Sequence, residues 1–343
     1  MSMRLRVAIG LVAFASLATA LPRAVAAPAQ PVLLRMVRTV GERSTYLCRA
    51  DGTMRVDLPT DLAGTIPDAL AGDIGFHISV EVSTAVREVA DGVADLGLSI
   101  NAVQLGLRIG DRSFEVVADS AKAQVVVDGE VTFDSTEGEL ADVPLAGLLF
   151  GRELFLARMN DVGDLVGMGL TGLLSAVADT PAVQDVFEHI AQMVPATLPT
   201  EPVRVGDTWQ SPVVVDVPEM GLTGGGEIRF VLRSLGDAAA GTLTQVGVRG
   251  TVGVADFHLA EAVLGLPMIG VDAETMDIPG VRLSGLTTVK GEMLLDPATN
   301  QLERLNCTAD LRTTLDAGIP GITAGILTTA DCSIERLSHG PSR

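Results

Sequence analysis

Aromatic residues are scarce in this chain, at 3% of 343 residues, with a single tryptophan, Trp209, and a single tyrosine, Tyr46. That excludes the stacked-base platforms that hold single-stranded nucleic acid, and an aromatic-lined sugar site. Cations are scarce as well: 24 Lys+Arg face 43 Asp+Glu, the formal net charge is -19, and lysine occurs only at Lys122 and Lys290. Nucleic-acid affinity comes from cations displacing condensed counterions, so DNA and RNA are excluded as partners. No C-x-x-C occurs, no serine sits in a Gly-x-Ser-x-Gly elbow, and neither lysine lies three residues after a serine. Those absences remove the usual zinc sites, the serine-hydrolase elbow and the penicillin-binding signature. The four histidines, His77, His189, His258 and His339, are far apart in sequence, and no metal and no cofactor is implied.

What the chain does have is apolar material, 47% of its residues, enough to build cores. The first 26 residues have the form of a secretory leader. Arg4 and Arg6 supply the charged start, Val7 to Leu21 the apolar stretch and Ala24-Val25-Ala26 a small-x-small cleavage site. The apolar stretch is shorter than the roughly 20 residues of a spanning helix, and no later stretch reaches that length without charges. The expectation is a secreted or periplasmic protein, soluble after cleavage, with no integral membrane segment. Cleavage would remove Arg23 with Arg4 and Arg6 and no acid, leaving the rest still more acidic.

Alternation dominates the remainder. Phe76, Ile78, Val80 and Val82 alternate, Asp91-Gly92 offers a turn, and Leu96, Leu98 and Ile100 alternate before a slip to Val103, Leu105, Leu107 and Ile109. The slip predicts a bulge near Ala102. Val82, Val86, Val89, Val93 and Leu96 also fit helical spacing, so a helix competes there. Gly110-Asp111 and Asp128-Gly129 are further hairpin turns. Between about 140 and 200 the pattern changes. Asp179 or Thr180 can cap a helix with Pro181 at its first position, and Val183, Val186, Phe187, Ile190 and Met193 form one stripe that Pro195 ends. Strands resume after Pro202. Asp296 to Asn300 has the composition of a loop between two of them.

The expected fold is therefore α+β and β-rich, with curved antiparallel sheets, as a half-barrel or two lobes, and a helical segment in the middle. The expected divisions are 1–26 leader, 27–140 N-terminal β lobe, 141–200 helical segment, 201–338 C-terminal β lobe and 339–343 tail.

Three cysteines, Cys48, Cys307 and Cys332, permit one internal bridge. A hairpin turning at Ile319-Pro320 sets residue 305 opposite 334, 307 opposite 332 and 309 opposite 330, aligning both apolar faces and both thiols. In an oxidising compartment this predicts a Cys307–Cys332 disulfide contributing about 3 kcal/mol, with Cys48 free or buried.

The run Leu198-Pro199-Thr200-Glu201-Pro202-Val203-Arg204-Val205-Gly206-Asp207-Thr208-Trp209 resembles the "Pro, Pro-Val, Val-Gly-Asp-Thr-Trp" signature of an uncharacterised family of exported bacterial envelope proteins. Val40-Gly41-Glu42 leading to Tyr46 resembles that family's opening strand, and Phe133-Asp134-Ser135 its mid-chain Asp-Ser. Gly291 to Leu302, with Leu295-Asp296-Pro297 at its centre, is similar to its closing segment, with Asn300 where the family usually has glycine. The resemblance covers most of the chain after the leader, and its specific part is Gly206 to Trp209. It implies an envelope location and supplies no activity and no catalytic residues. On physical grounds Gly206-Asp207 makes a tight turn and Trp209 heads a strand as a core plug. The recurrence of Val-Gly-acid before an aromatic, at Val40 and Val205, hints at two similar β lobes.

Remaining motifs point to little chemistry. Gly167 to Gly172 matches the dinucleotide fingerprint in letters, without the strand before it or the acid that should follow. His77 falls on the polar side of its strand, and Asp272, Glu274 and Asp277 lack a calcium-loop pattern. The Leu-, Val- and Gly-rich run Val143 to Leu174 contains Phe150, Phe155, Met159 and Met168, which are the candidate lining of an apolar cavity. The leading expectation is a non-enzymatic envelope protein that holds an apolar small molecule or lipid, or contacts another envelope protein. The alternative is a secreted hydrolase whose acids and histidine the spacing does not reveal.

Overall fold

A computed structural model describes residues 30–57, 73–137, 146–147, 150–171, 196–217, 222–258, 282–316 and 323–341. The leader, the Pro181 helix, His189, the Asp272 to Asp277 acids and the Pro320 turn lie outside the described residues.

The alternating segments become strands because alternation puts every second side chain on one face, where a neighbouring strand can extend the apolar surface. The strands are β1 (Glu42–Asp57), β2 (Asp73–Ala90), β3 (Val93–Ile109), β4 (Arg112–Asp119), β5 (Ala123–Val127), β6 (Glu130–Asp134), β7 (Glu153–Asn160) and β8 (Leu165–Leu170) in the first half. In the second half they are β9 (Thr208–Val217), β10 (Leu222–Ser234), β11 (Thr244–His258), β12 (Arg282–Leu295), β13 (Leu302–Asp316) and β14 (Thr323–Pro341). They form one 14-stranded sheet in the order β6-β5-β4-β3-β2-β1-β14-β13-β12-β11-β10-β9, with β7 and β8 off this path. Two meanders, β1 to β6 and β9 to β14, thus meet where β1 pairs antiparallel with β14.

The tight turns follow their chemistry. Asp91 and Gly92 sit at φ 51 and 77, and Asp128 and Gly129 at φ 52 and 84. Two successive left-handed residues are what a two-residue hairpin matching the strand twist requires. The competing helix at Val82 to Leu96 is not formed, since those residues lie on β2, β3 and the turn between them. The bulge is present: Glu81 opposes Ala102 and Val82 opposes Ile100, so Asn101 has no opposite residue and donates instead to Glu81 Oε1 (2.9 Å) and Ser83 Oγ (2.7 Å).

The α+β expectation is corrected. The described residues are mostly strand with almost no helix, and the segment expected to be helical contains β7 and β8. The reason lies in β3. Its second half, Ala102 to Ile109, pairs with β4, which leaves the edge of its first half open, and β7 fills that edge from Val93 to Ser99. A backbone edge in need of partners thus makes strands of part of the span expected to be helical, while the Pro181 stripe on which that expectation rested lies outside the described residues. The strands of the two halves join in one continuous sheet, since they share the β1–β14 pairing.

Two buried clusters anchor the sheet. One gathers Phe230, Leu232, Val246, Met293 and Leu295 under Leu34, Val162, Leu198 and Val203. The other joins Val86, Ala94, Leu96 and Ala157. Residues 32–38 form a strap over the first: Val32 bridges Val203, Met36 N donates to Asp161 O (2.7 Å) and Val37 N to Thr299 O (2.8 Å). Arg35 fastens it to the Pro199 and Thr200 carbonyls (both 2.6 Å).

Candidate functional site

The registers place one apolar row across twelve strands. From β6 to β9 it reads Phe133, Val125, Val116, Leu105, Ile78, Ala50, Cys332, Cys307, Gly291, Val248, Phe230 and Trp209, each opposite the next. At about 4.8 Å per strand such a row extends roughly 50 Å. The next row repeats the character, with Phe114, Leu107, Phe76, Gly52, Ala330, Ala309, Val289, Gly250 and Ile228. The sheet therefore has one apolar face.

That face is not uniform. Around β1, β14, β13 and β12 its side chains are small: Ala50, Gly52, Cys332, Ala330, Cys307, Ala309 and Gly291. A side chain added at Gly52 would run into the Phe76 ring and the Thr329 carbonyl, so Phe76 lies across the space that glycine vacates. Toward β9 the face is buried, with Trp209 stacked on Phe230 at 5.6 Å between centroids and 16° between planes. Toward β6 it is open: Ile78, Leu105, Leu107, Phe114 and Phe133 are 38–43% exposed. They are adjacent through the cross-strand pairs Ile78–Leu105 and Leu107–Phe114. Such neighbouring exposed apolar residues differ from the single scattered ones normal for a soluble fold.

Three of the four candidate cavity residues belong to this face. Phe155 opposes Leu98, Met159 opposes Ala94, and Met168 of β8 opposes Ala157. Phe150 precedes β7, its N–H donating to Ala146 O at 2.9 Å. Met159 also accepts a hydrogen bond from Arg38 Nη2 (2.8 Å), as does Met36 (3.0 Å). Burial among these weak acceptors lowers the pKa of the Arg38 guanidinium, with Tyr46, Glu42 and Asp161 acting in the opposite sense.

The structure places the remaining candidates plainly. Gly206 adopts φ 96, and the turn closes through Asp207 N to Arg204 O (2.9 Å) and Arg204 N to Asp207 Oδ2 (2.8 Å). Trp209 is the second residue of β9, and its Nε1 donates to Thr197 O at 3.3 Å. Cys307 and Cys332 are opposed and stand as free thiols, as does Cys48 one row away on the same face. Asn300 takes the left-handed conformation at φ 54 and donates to Arg35 O (2.9 Å). Gly167 to Leu170 lie on strand β8, not in the strand-to-helix turn a dinucleotide needs. His258 and His339 fall on β11 and β14.

The opposite face is polar. A depression of about 520 Å³ is lined there by Asp51, His77, Gln104, Arg108 and Glu115 among others. A second of about 380 Å³ shares Asp51 and adds Lys290, Asn306, Thr308 and Asp331. His77 Nδ1 meets Asp51 Oδ1 at 2.6 Å, with the ring about a third exposed. Among the described residues no hydroxyl or thiol hydrogen-bonds this ring. The sequence missed the buried side chain of Arg336, which donates to Glu303 Oε1 (2.6 Å) and Gln301 Oε1 (2.7 Å) and lies 5.9 Å from the centroid of the Tyr46 ring. Gln301 in turn donates to Val37 O (2.7 Å) and Glu42 Oε1 (2.6 Å), tying the strap to the sheet. Nothing local in the sequence marks this network, whose members are far apart along the chain.

No family model and no curated protein sequence matches the chain. Among solved structures it is similar to lipovitellin, at 11% identity and a TM-score of 0.39, covering 89% of this chain and 26% of that one. It is also similar to an outer-membrane channel from Pseudomonas putida F1 (7% identity, TM-score 0.22, covering 88% of this chain and 97% of that one) and to the beta domain of the Bordetella autotransporter BrkA (9%, 0.21, 86% and 99%). Likenesses at these scores carry no argument about function. Among the described residues no helix is long and apolar enough to cross a membrane, which says nothing of strands.

Proposed function

We propose that this chain is a non-enzymatic protein of the bacterial envelope that holds an apolar ligand, a lipid or similar hydrocarbon, against the apolar face of its sheet. The observation that carries the reading is the open strip of Ile78, Leu105, Leu107, Phe114 and Phe133, continuous with the face that elsewhere packs into the core. Burying such a surface contributes about 25 cal/mol for each Å² removed from water, with no polar partner required. The small side chains of Ala50, Cys332, Ala330 and Cys307 beside it leave room for the ligand to lie close to the backbone. The envelope location rests on the leader and on the Gly-Asp-Thr-Trp resemblance.

The test uses Nile red, a neutral apolar dye, with the full chain and with Leu105→Asp/Leu107→Ser. The variant should bind the dye at least tenfold more weakly while circular dichroism shows the sheet intact. Equal binding by a folded variant would remove the strip as the site.

A further inference from the structure

On the polar face, the cross-strand registers bring three cations into direct opposition. Lys290 of β12 faces Arg249 of β11, and Arg249 faces Arg229 of β10. All three side chains are exposed. Like charges directly opposite one another on neighbouring strands are destabilising, and two successive oppositions compound the cost. Asp331 opposes Thr308 and shares a depression with Lys290, but no ion pair joins the two among the described residues. Arg229 has one weak contact, with Glu227 at 3.5 Å. The nearby Glu292 is taken by Arg233 at 3.3 Å. Asp310 stands opposite Thr288 one step from Lys290, and the residues opposing the ends of the row are Thr308 and Gln210. No ion pair to Arg249 or Lys290 is present among the described residues.

In a chain with 24 cations and 43 acids this arrangement is not a by-product of a basic surface. We propose that Lys290, Arg249 and Arg229 form a binding site for a phosphoryl anion, with the Arg249 guanidinium at its centre. Guanidinium offers paired donors that match phosphate oxygens, and flanking cations about 5 Å to either side suit an anion carrying two phosphoryl groups. Bound anion would remove the mutual repulsion of the row, so the fold and the ligand are coupled. The general field of a chain with net charge -19 repels anions, so any binding has to come from this local row.

The experiment is thermal unfolding of the full chain in pyrophosphate against sodium chloride of equal ionic strength, with sedimentation against phosphatidylglycerol and phosphatidylcholine vesicles as a second arm. Pyrophosphate should raise the melting temperature by several degrees beyond the salt control. Arg249→Gln should abolish that rise and, without anion, melt above the parent because one opposition on each side is gone. Arg304→Gln, which removes an exposed arginine paired with Glu335, should keep the rise. A response to pyrophosphate identifies a free anion. Sedimentation with phosphatidylglycerol alone, lost in Arg249→Gln, identifies a lipid headgroup. Response to neither, or a rise retained in Arg249→Gln, overturns the proposal.

Discussion

Cys307 of β13 and Cys332 of β14 stand directly opposite one another, both as free thiols. The pairing is the register in which residue 305 meets 334 and 309 meets 330, so both thiols sit on the apolar face at the centre of the sheet.

Two consequences can be measured. With oxidised glutathione as electron acceptor, the two thiols should lose two protons and two electrons and close a 307–332 disulfide. Peptide mapping should then find Cys48 alkylated, and a linkage through Cys48 would contradict the register. In the reduced protein, burial above all, and then the neighbouring Cys332 thiol, push the Cys307 thiol up to about 11 from its usual value of 9.0. Alkylation of Cys307 should therefore stay slow at neutral pH and accelerate only toward pH 11. Below pH 9 this thiol is protonated in both folded and unfolded chains and stability is unaffected. Above it the unfolded chain releases the proton first, so stability falls as pH rises toward 11.

Trp209 should behave as a packed side chain. Its stacking on Phe230 and its hydrogen bond to Thr197 O predict blue-shifted emission that iodide quenches poorly. Trp209→Ala should cost about 3 kcal/mol in denaturant unfolding. Emission like that of free tryptophan would place the ring in solvent.

Gly52 and Phe76 form a testable pair. Gly52→Ala should displace the Phe76 ring and cost about 1–3 kcal/mol, because an added methyl meets both that ring and the Thr329 carbonyl. In Gly52→Ala/Phe76→Ala the ring part of the cost disappears, so a double-mutant cycle should show favourable coupling. Strict additivity would mean the ring does not occupy the glycine's space.

Asp134 closes β6. Its carboxylate accepts from the Thr136 hydroxyl (2.6 Å) and N–H (2.8 Å) and from the Gln124 amide, and these bonds lower its pKa from 3.8 to about 2. A depressed carboxylate adds stability above pH 3.8 and loses it as pH falls toward 2. Carboxyl chemical shifts should give a midpoint near 2, and Thr136→Val should move it back toward 3.8.

What the sequence showed and hid divides by the range of the interaction. Asp91-Gly92, Asp128-Gly129 and Asn300 were legible because a left-handed turn residue is a local demand. The opposition of Cys307 and Cys332 was legible because one short hairpin sets it. The β7–β8 hairpin was not, although Asn160-Asp161-Val162-Gly163-Asp164 has turn composition. There Asn160 Oδ1 accepts from Val162 N (3.1 Å) and Asp164 N (2.8 Å), and Gly163 sits at φ 90. That signal was overshadowed by the apolar run around it. The open strip was half visible: each strand's alternation announced an apolar side, but which sides coincide depends on long-range register. The cation row was hidden for the same reason, since Arg229, Arg249 and Lys290 are separated by whole strands.

The pairing of β1 with β14 gives the chain an order of assembly. Thr53 and Thr329 hydrogen-bond across this seam although 276 residues separate them. Each meander can zip up through neighbours close in sequence, but the seam closes a loop of nearly the whole chain, the kind of distant contact that slows folding. During synthesis the β1 edge must wait, unpaired, until Thr323–Pro341 emerges. An exposed strand edge is also a template for wrong partners. A chain truncated before β14 should therefore leave two half-sheets with sticky inner edges, and its failure should be seen as aggregation.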